Sequence, residues 1–243
     1  MNAARMKNWF LAVHYRWTLG VIFIAAVCCS APIGYAASYY PDEFGNMWFF
    51  RSTDGIDERI ITIKGPEVLN GEVVKIVEEQ TNNNVNQLFI KTEPEGVKLF
   101  RSVVSLDPLG DITFDYSPPQ TFLPIPIELG SQWTVQSETE IPLAGRIRTT
   151  NRAEVVAIED VTVPAGIFRK CLKIEQNIIL SLTIADLELS NAMWLAPNIG
   201  IVKSIDTNEI VFELIRYNIT VEDPDAAVQP KGKLATTWAT LKQ

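Results

Sequence analysis

Carboxylates are the side chains through which this chain could do chemistry. Asp107, Asp111 and Asp115 recur along a loop–strand–loop run, and Asp54, Asp57 and Glu58 crowd one turn. Two carboxylates at a set separation in space can hydrolyse a glycosidic bond. Clustered carboxylate oxygens can also hold calcium, although the spacing here does not match an EF-hand loop. Acids in turns more commonly bind their own backbone on a solvated surface. Other devices are missing. The single histidine, His14, sits in the first 36 residues. Beyond it there can be no Ser-His-Asp or Cys-His pair and no His-ligated zinc or haem. No Ser-x-x-Lys, P-loop or Gly-x-Gly-x-x-Gly pattern occurs. Cys171 has no cysteine partner after residue 36 and reads as a small buried hydrophobe. The expectation is a protein that is not an enzyme and that uses neither cofactor nor metal.

The segments that must position any site begin after an export signal. In residues 1–36 the charges are Arg5, Lys7 and Arg16, all positive. The apolar run from Leu19 to Cys29 follows, and Gly34-Tyr35-Ala36 has the small-x-small pattern of a cleavage site. The run is short of the ~20 apolar residues that a membrane span needs. Cleavage near Ala36 would leave an exported periplasmic or extracellular protein with no integral span. An uncleaved anchor is one alternative. Lipidation at Cys28 or Cys29 is another, against which Val27 stands where a small residue is wanted. The remaining chain carries 18 Lys and Arg against 29 Asp and Glu, a net charge of −11. That balance argues against nucleic acid, whose phosphates need clustered Lys and Arg, and against anionic lipid surfaces.

The organisation expected is residues 1–36 as signal peptide, 37–221 as one antiparallel β domain, and 222–243 as a tether and C-terminal segment. In the β domain, runs rich in β-branched and aromatic residues alternate with Asn, Asp, Gly and Pro. Thirteen such runs are expected as strands, from Met47–Ser52 to Ile210–Ile219. Arg152–Glu159 alternates in part, which suits a sheet with one buried face. Two corners are chemically specified. In Val163-Pro164-Ala165-Gly166, proline stands early and glycine late, as a tight turn demands. Ala196-Pro197-Asn198-Ile199-Gly200 follows the same logic. Between Ile184 and Leu187 a bulge or turn must intervene, because apolar parity changes there. The proline-rich stretch Asp115–Pro126 cannot be a central strand and reads as an extended crossover. One echo links two halves: Pro41-Asp42-Glu43-Phe44-Gly45-Asn46-Met47-Trp48 and Pro126-Ile127-Glu128-Leu129-Gly130-Ser131-Gln132-Trp133 share Pro-x-Glu-apolar-Gly-x-x-Trp. It fits two related sheet halves, or convergence on the same turn-plus-strand grammar.

Three blocks carry a resemblance: Tyr40-Pro41…Gly45-Asn46-Met47-Trp48, Val163-Pro164-Ala165-Gly166-Ile167-Phe168…Cys171, and Trp194-Leu195-Ala196-Pro197…Gly200-Ile201-Val202-Lys203. Together they resemble a family of exported bacterial proteins of unknown function, similar to the curved antiparallel sheets of LolA- and LppX-type lipoprotein carriers. The resemblance implies an all-β single domain, a large curved antiparallel sheet or incomplete β-barrel with few or no helices after the signal. It implies no catalytic residues.

Three functional readings follow. The first is a non-enzymatic binding protein of the envelope that shelters a lipid or other apolar ligand in the curved sheet. The second is a structural or assembly protein that binds an envelope protein partner. The third is a carboxylate-dependent polysaccharide hydrolase. Trp48, Trp133, Trp194 and Trp238 are the candidate contacts for a ligand or partner, although tryptophans next to turns are mostly buried for packing.

Overall fold

In the computed structural model the described residues are 38–82, 84–106, 110–141, 145–181 and 186–220, all in the unit Ala37–Gln243. The expected signal, the C-terminal segment with Trp238, and Asp107 lie outside the described residues.

The described chain forms twelve strands and no helix. The first six are β1 (Met47–Ser52), β2 (Glu58–Leu69), β3 (Glu72–Thr81), β4 (Val85–Glu93), β5 (Gly96–Leu106) and β6 (Gly110–Pro124). The second six are β7 (Gln132–Ile141), β8 (Gly145–Val163), β9 (Gly166–Ser181), β10 (Asp186–Ala196), β11 (Gly200–Ile205) and β12 (Val211–Asn218). They make one antiparallel sheet in the order β6-β5-β4-β3-β2-β1-β12-β11-β10-β9-β8-β7. Side chains alternate between its faces, as in β11, where Gly200, Val202 and Ser204 are buried and the residues between them are partly exposed. The core gathers on the inner face, with Phe50, Ile90, Val155, Ile174, Val202 and Leu214 fully buried.

The corners form as their residues dictate. Val163 pairs with Gly166 across Pro164-Ala165. At the second corner Ile199 N donates to Ala196 O at 3.2 Å, with Asn198 at φ 61° and Gly200 at φ 86°. Gly200 is held to glycine twice over, since a Cβ there would also meet Pro41 Cδ at 3.3 Å. Ser181 pairs with Asp186 in the β9–β10 ladder, and the expected parity change at Ala185 lies outside the described residues. Two expectations are corrected. The run expected over 169–176 and the described part of the run expected over 178–184 form one strand, β9, which extends to Ser181. Asp115–Pro124 belongs to β6 rather than to a crossover. Strand β6 tolerates its prolines because it is an edge, paired with β5 alone and with register shifts on the way.

The echo recurs in three dimensions. At the first copy Asn46 N donates to Glu43 O, Gly45 N to Ile63 O, and Ile63 N to Asn46 O. At the second, Ser131 N donates to Glu128 O, Gly130 N to Val155 O, and Val155 N to Ser131 O. Each copy leads into the first strand of a six-stranded meander, β1–β6 or β7–β12, and binds that meander's second strand.

The two outer edges, β6 and β7, approach one another and nearly close the sheet into a barrel. No backbone ladder joins them among the described residues. The Gln120 amide takes its place: its Nε2 donates to Gln136 O, and Gln136 N donates to its Oε1. Thr139 Oγ1 adds a bond to Thr113 O at 3.1 Å. Replacing Gln120 with alanine should therefore loosen this seam locally. Hydrogen exchange at the Gln136 amide should speed by about fivefold, since one net hydrogen bond is worth about 1 kcal/mol. Unchanged exchange at Gln136 would mean that the amide bridge does not hold the edge.

Candidate functional site

The curled sheet forms a partly open cavity of about 590 Å³, within the range of small-molecule sites. Its wall draws on every strand from β1 to β11. One end is closed by the segment that enters β1. Ser38 N donates to Asn198 Oδ1 at 3.1 Å, and Asn198 N donates to Ser38 O at 2.7 Å. Asn46, 1 % exposed, donates from Nδ2 to Pro41 O and accepts from Thr220 N. These bonds lay Tyr40 and Pro41 over the end of the barrel. Tyr40 meets the Phe122 ring edge-on at 5.7 Å. Trp48 completes this floor, donating from Nε1 to Ile199 O at 2.6 Å. Burial holds the Tyr40 hydroxyl well above its ordinary range, with the Asp42 and Glu79 carboxylates adding to the effect.

Above the floor the wall is largely apolar, with Ile61, Ile63, Val77, Leu88, Leu99 and Val135. A band of polar side chains crosses it. Ser102 and Tyr116 share a hydrogen bond at 3.1 Å, and Ser137 bonds Thr149 across β7 and β8. Asn151 follows on β8. Gln176 on β9 stands directly opposite Asn191 on β10. On the other wall Glu79 stands opposite Asn86. Arg59 lies beside Glu79. Its side chain is 12 % exposed, stacked on Phe212 at 3.8 Å and bonded from Nη1 to Ser204 Oγ at 3.1 Å. Glu79 and Asp206 flank it at 3.7 and 3.9 Å. Tyr116 is pushed up by burial and pulled partly back by its Ser102 and Ser137 hydrogen bonds.

Of the four tryptophans, only Trp48 among the described residues lines the cavity. Trp133, opposite Ala153, is half-buried against the core. Trp194 is next in the chain to the wall residue Met193 and points to the other face of the sheet. There its ring lies 5.5 and 5.6 Å from the Lys173 and Lys203 ammonium groups, and its Nε1 donates to Glu159. The acids singled out by spacing serve local structure. Asp54 accepts from Ser52 Oγ and Ile56 N, Glu58 pairs with Arg51 at 2.7 Å, Asp111 accepts from Ser105, and Asp115 pairs with Arg101 at 2.6 Å. Asp57 accepts from Asn82. None of these lines the cavity. Cys171 is fully buried, and burial pushes its thiol up to about 11. A thiol so protonated is a poor nucleophile at neutral pH. The band itself carries no local motif; each member is a single polar residue inside a strand.

A DUF3108-like family model matches residues 130–209, from the turn before β7 to the turn before β12. Two of the three sequence blocks, at Val163–Cys171 and Trp194–Lys203, lie inside that match. Among solved structures, a candidate lipoprotein from Parabacteroides distasonis is 14% identical, with a TM-score of 0.42 over 75% of this chain and 99% of that one. A candidate exported protein with a YmcC-like fold from Bacteroides fragilis is 18% identical, with a TM-score of 0.42 over 75% and 100%. The hypothetical lipoprotein YmcC from Escherichia coli is 12% identical, with a TM-score of 0.36 over 74% and 87%. No curated protein matches the chain.

Proposed function

We propose that this is an exported, non-enzymatic carrier that shelters an apolar ligand inside its curled sheet. The observation that carries the reading is the cavity of about 590 Å³, walled mainly by aliphatic and aromatic side chains and floored by Tyr40, Trp48 and Phe122. A single-layer sheet of this length could bury its inner face by flattening onto itself. A space is kept instead, and its apolar lining stays in contact with water unless a ligand covers it, at a cost of about 25 cal/mol per Å². The charged segment, apolar run and cleavage pattern in residues 1–36 support export.

Native mass spectrometry of the protein purified from its own envelope, with lipid extraction of the same sample, tests the reading. A near-stoichiometric apolar adduct is expected. Bare protein with no extractable lipid would count against a carrier.

A further inference from the structure

The polar band says more about the ligand than the apolar wall does. Three buried polar atoms lack a hydrogen-bond partner among the described residues: Asn151 Oδ1, Asn191 Oδ1 and Arg59 Nε, the last ion-paired with Glu79 Oε1 at 3.7 Å, beyond hydrogen-bond reach. All three belong to side chains that line the cavity. Buried polar groups are nearly always satisfied, because an unmet one costs about 1–3 kcal/mol. Two of these atoms accept a hydrogen bond, and one donates. The group that answers them must therefore both donate and accept.

The charges narrow the choice further. Arg59 is the one cationic side chain among the described residues of the lining, and it is flanked by two carboxylates, Glu79 and Asp206. The Asp206 carboxylate is already fixed by the amides of Asn208 and Ile210, so it stays beside Arg59. The local sum is one negative charge. A carboxylate or phosphate headgroup would meet that excess, and it could offer no hydrogen to the asparagine oxygens. A quaternary ammonium could offer none either. A hydroxyl or a carboxamide satisfies both requirements without bringing a charge into a buried site, which is costly unless paired.

We propose, resting on the carrier reading, that the cavity selects an uncharged amphiphile: a hydrocarbon chain in the apolar chamber, with a hydroxyl- or amide-bearing head held by Asn151, Asn191 and Arg59. The head meets its partners on β2, β8 and β10, with Arg59 of β2 reaching across to Ser204 on β11, the neighbour of β10. A ligand so held is fixed along the chamber axis as well as enclosed.

The test uses delipidated protein at pH 8 and a set of probes sharing one twelve-carbon chain: dodecanol, dodecanamide, monododecanoylglycerol, dodecanoate and dodecyltrimethylammonium. Their affinities are read by displacement of a fluorescent apolar probe and checked by native mass spectrometry. The three neutral compounds should bind at least about tenfold more tightly than either ion. Asn151→Leu and Asn191→Leu, close in shape to the native residues, should each cut the affinity of dodecanamide and monododecanoylglycerol, which have two donor hydrogens, by about tenfold while leaving the ions unchanged. Dodecanoate binding as tightly as dodecanol, and lost in Arg59→Gln, would overturn the inference and leave the carrier reading standing. Equal binding of all five probes would do the same. If none of the probes binds, the carrier reading itself fails. The comparison of probes on the native chain decides the matter even where a variant does not fold.

Discussion

Trp48→Ala should lower the free energy of unfolding by about 3–5 kcal/mol, the range for removing a large buried aromatic. Trp48 is 4 % exposed, so truncation leaves a hole at the floor of the barrel. Its indole N–H is also the donor to Ile199 O, in the corner where Gly200 lies against Pro41. Trp48→Phe separates the two effects. It keeps most of the ring and removes the donor, so a smaller loss of about 1–3 kcal/mol is expected, from leaving a buried carbonyl unmet. Urea unfolding followed by circular dichroism measures both, free of the change in tryptophan fluorescence. An alanine variant that loses less than about 1 kcal/mol would show that the floor does not depend on this residue.

The second large effect is on binding. Leu88 projects from β4 into the cavity and is only partly buried. Leu88→Trp places an indole in the chamber, where there is room for it, so stability should change by less than about 1.5 kcal/mol, as for tolerated hydrophobic swaps. Affinity for an apolar probe should fall by about tenfold or more, because the ligand and the indole compete for one space. Ile167→Trp is the control, on an exposed side chain after the β8–β9 corner, and should leave binding intact. Full binding by the Leu88 variant would place the ligand outside the cavity.

The architecture was largely legible because its signals are local. Strands β1 and β7 and the corners at Pro164 and Pro197 follow from β-branched runs punctuated by residues with restricted or unusual φ. Where alternation falters, the ladder has shifts: β8 slips between Val155 and Ala157 and again between Glu159 and Val161, which is why Arg152–Glu159 alternates only in part. The cavity band was not legible. Asn151, Gln176 and Asn191 are far apart in the chain, each looks like an ordinary polar residue in a strand, and only the pairing register of β8, β9 and β10 brings them to one wall. Arg59, beside Glu58 in sequence, gave no sign that one neighbour faces solvent and the other the cavity. Aromaticity alone does not tell the two faces apart, since Trp48 and Trp194 read alike in sequence yet lie on opposite faces.

The strand order has a consequence for how the chain acquires its interior. Of the eleven ladders in the sheet, ten join strands adjacent in sequence, and one, β1 with β12, joins the two ends of the described domain, with Met47 opposite Asn218. Hairpin contacts close short loops at little entropic cost, whereas the β1–β12 ladder must close almost the whole chain. Each six-stranded meander can therefore zip up by itself, and the two are welded together last. Until that weld is made there are two open sheets with bare edges and no chamber between them. The interior is the final thing this sequence builds.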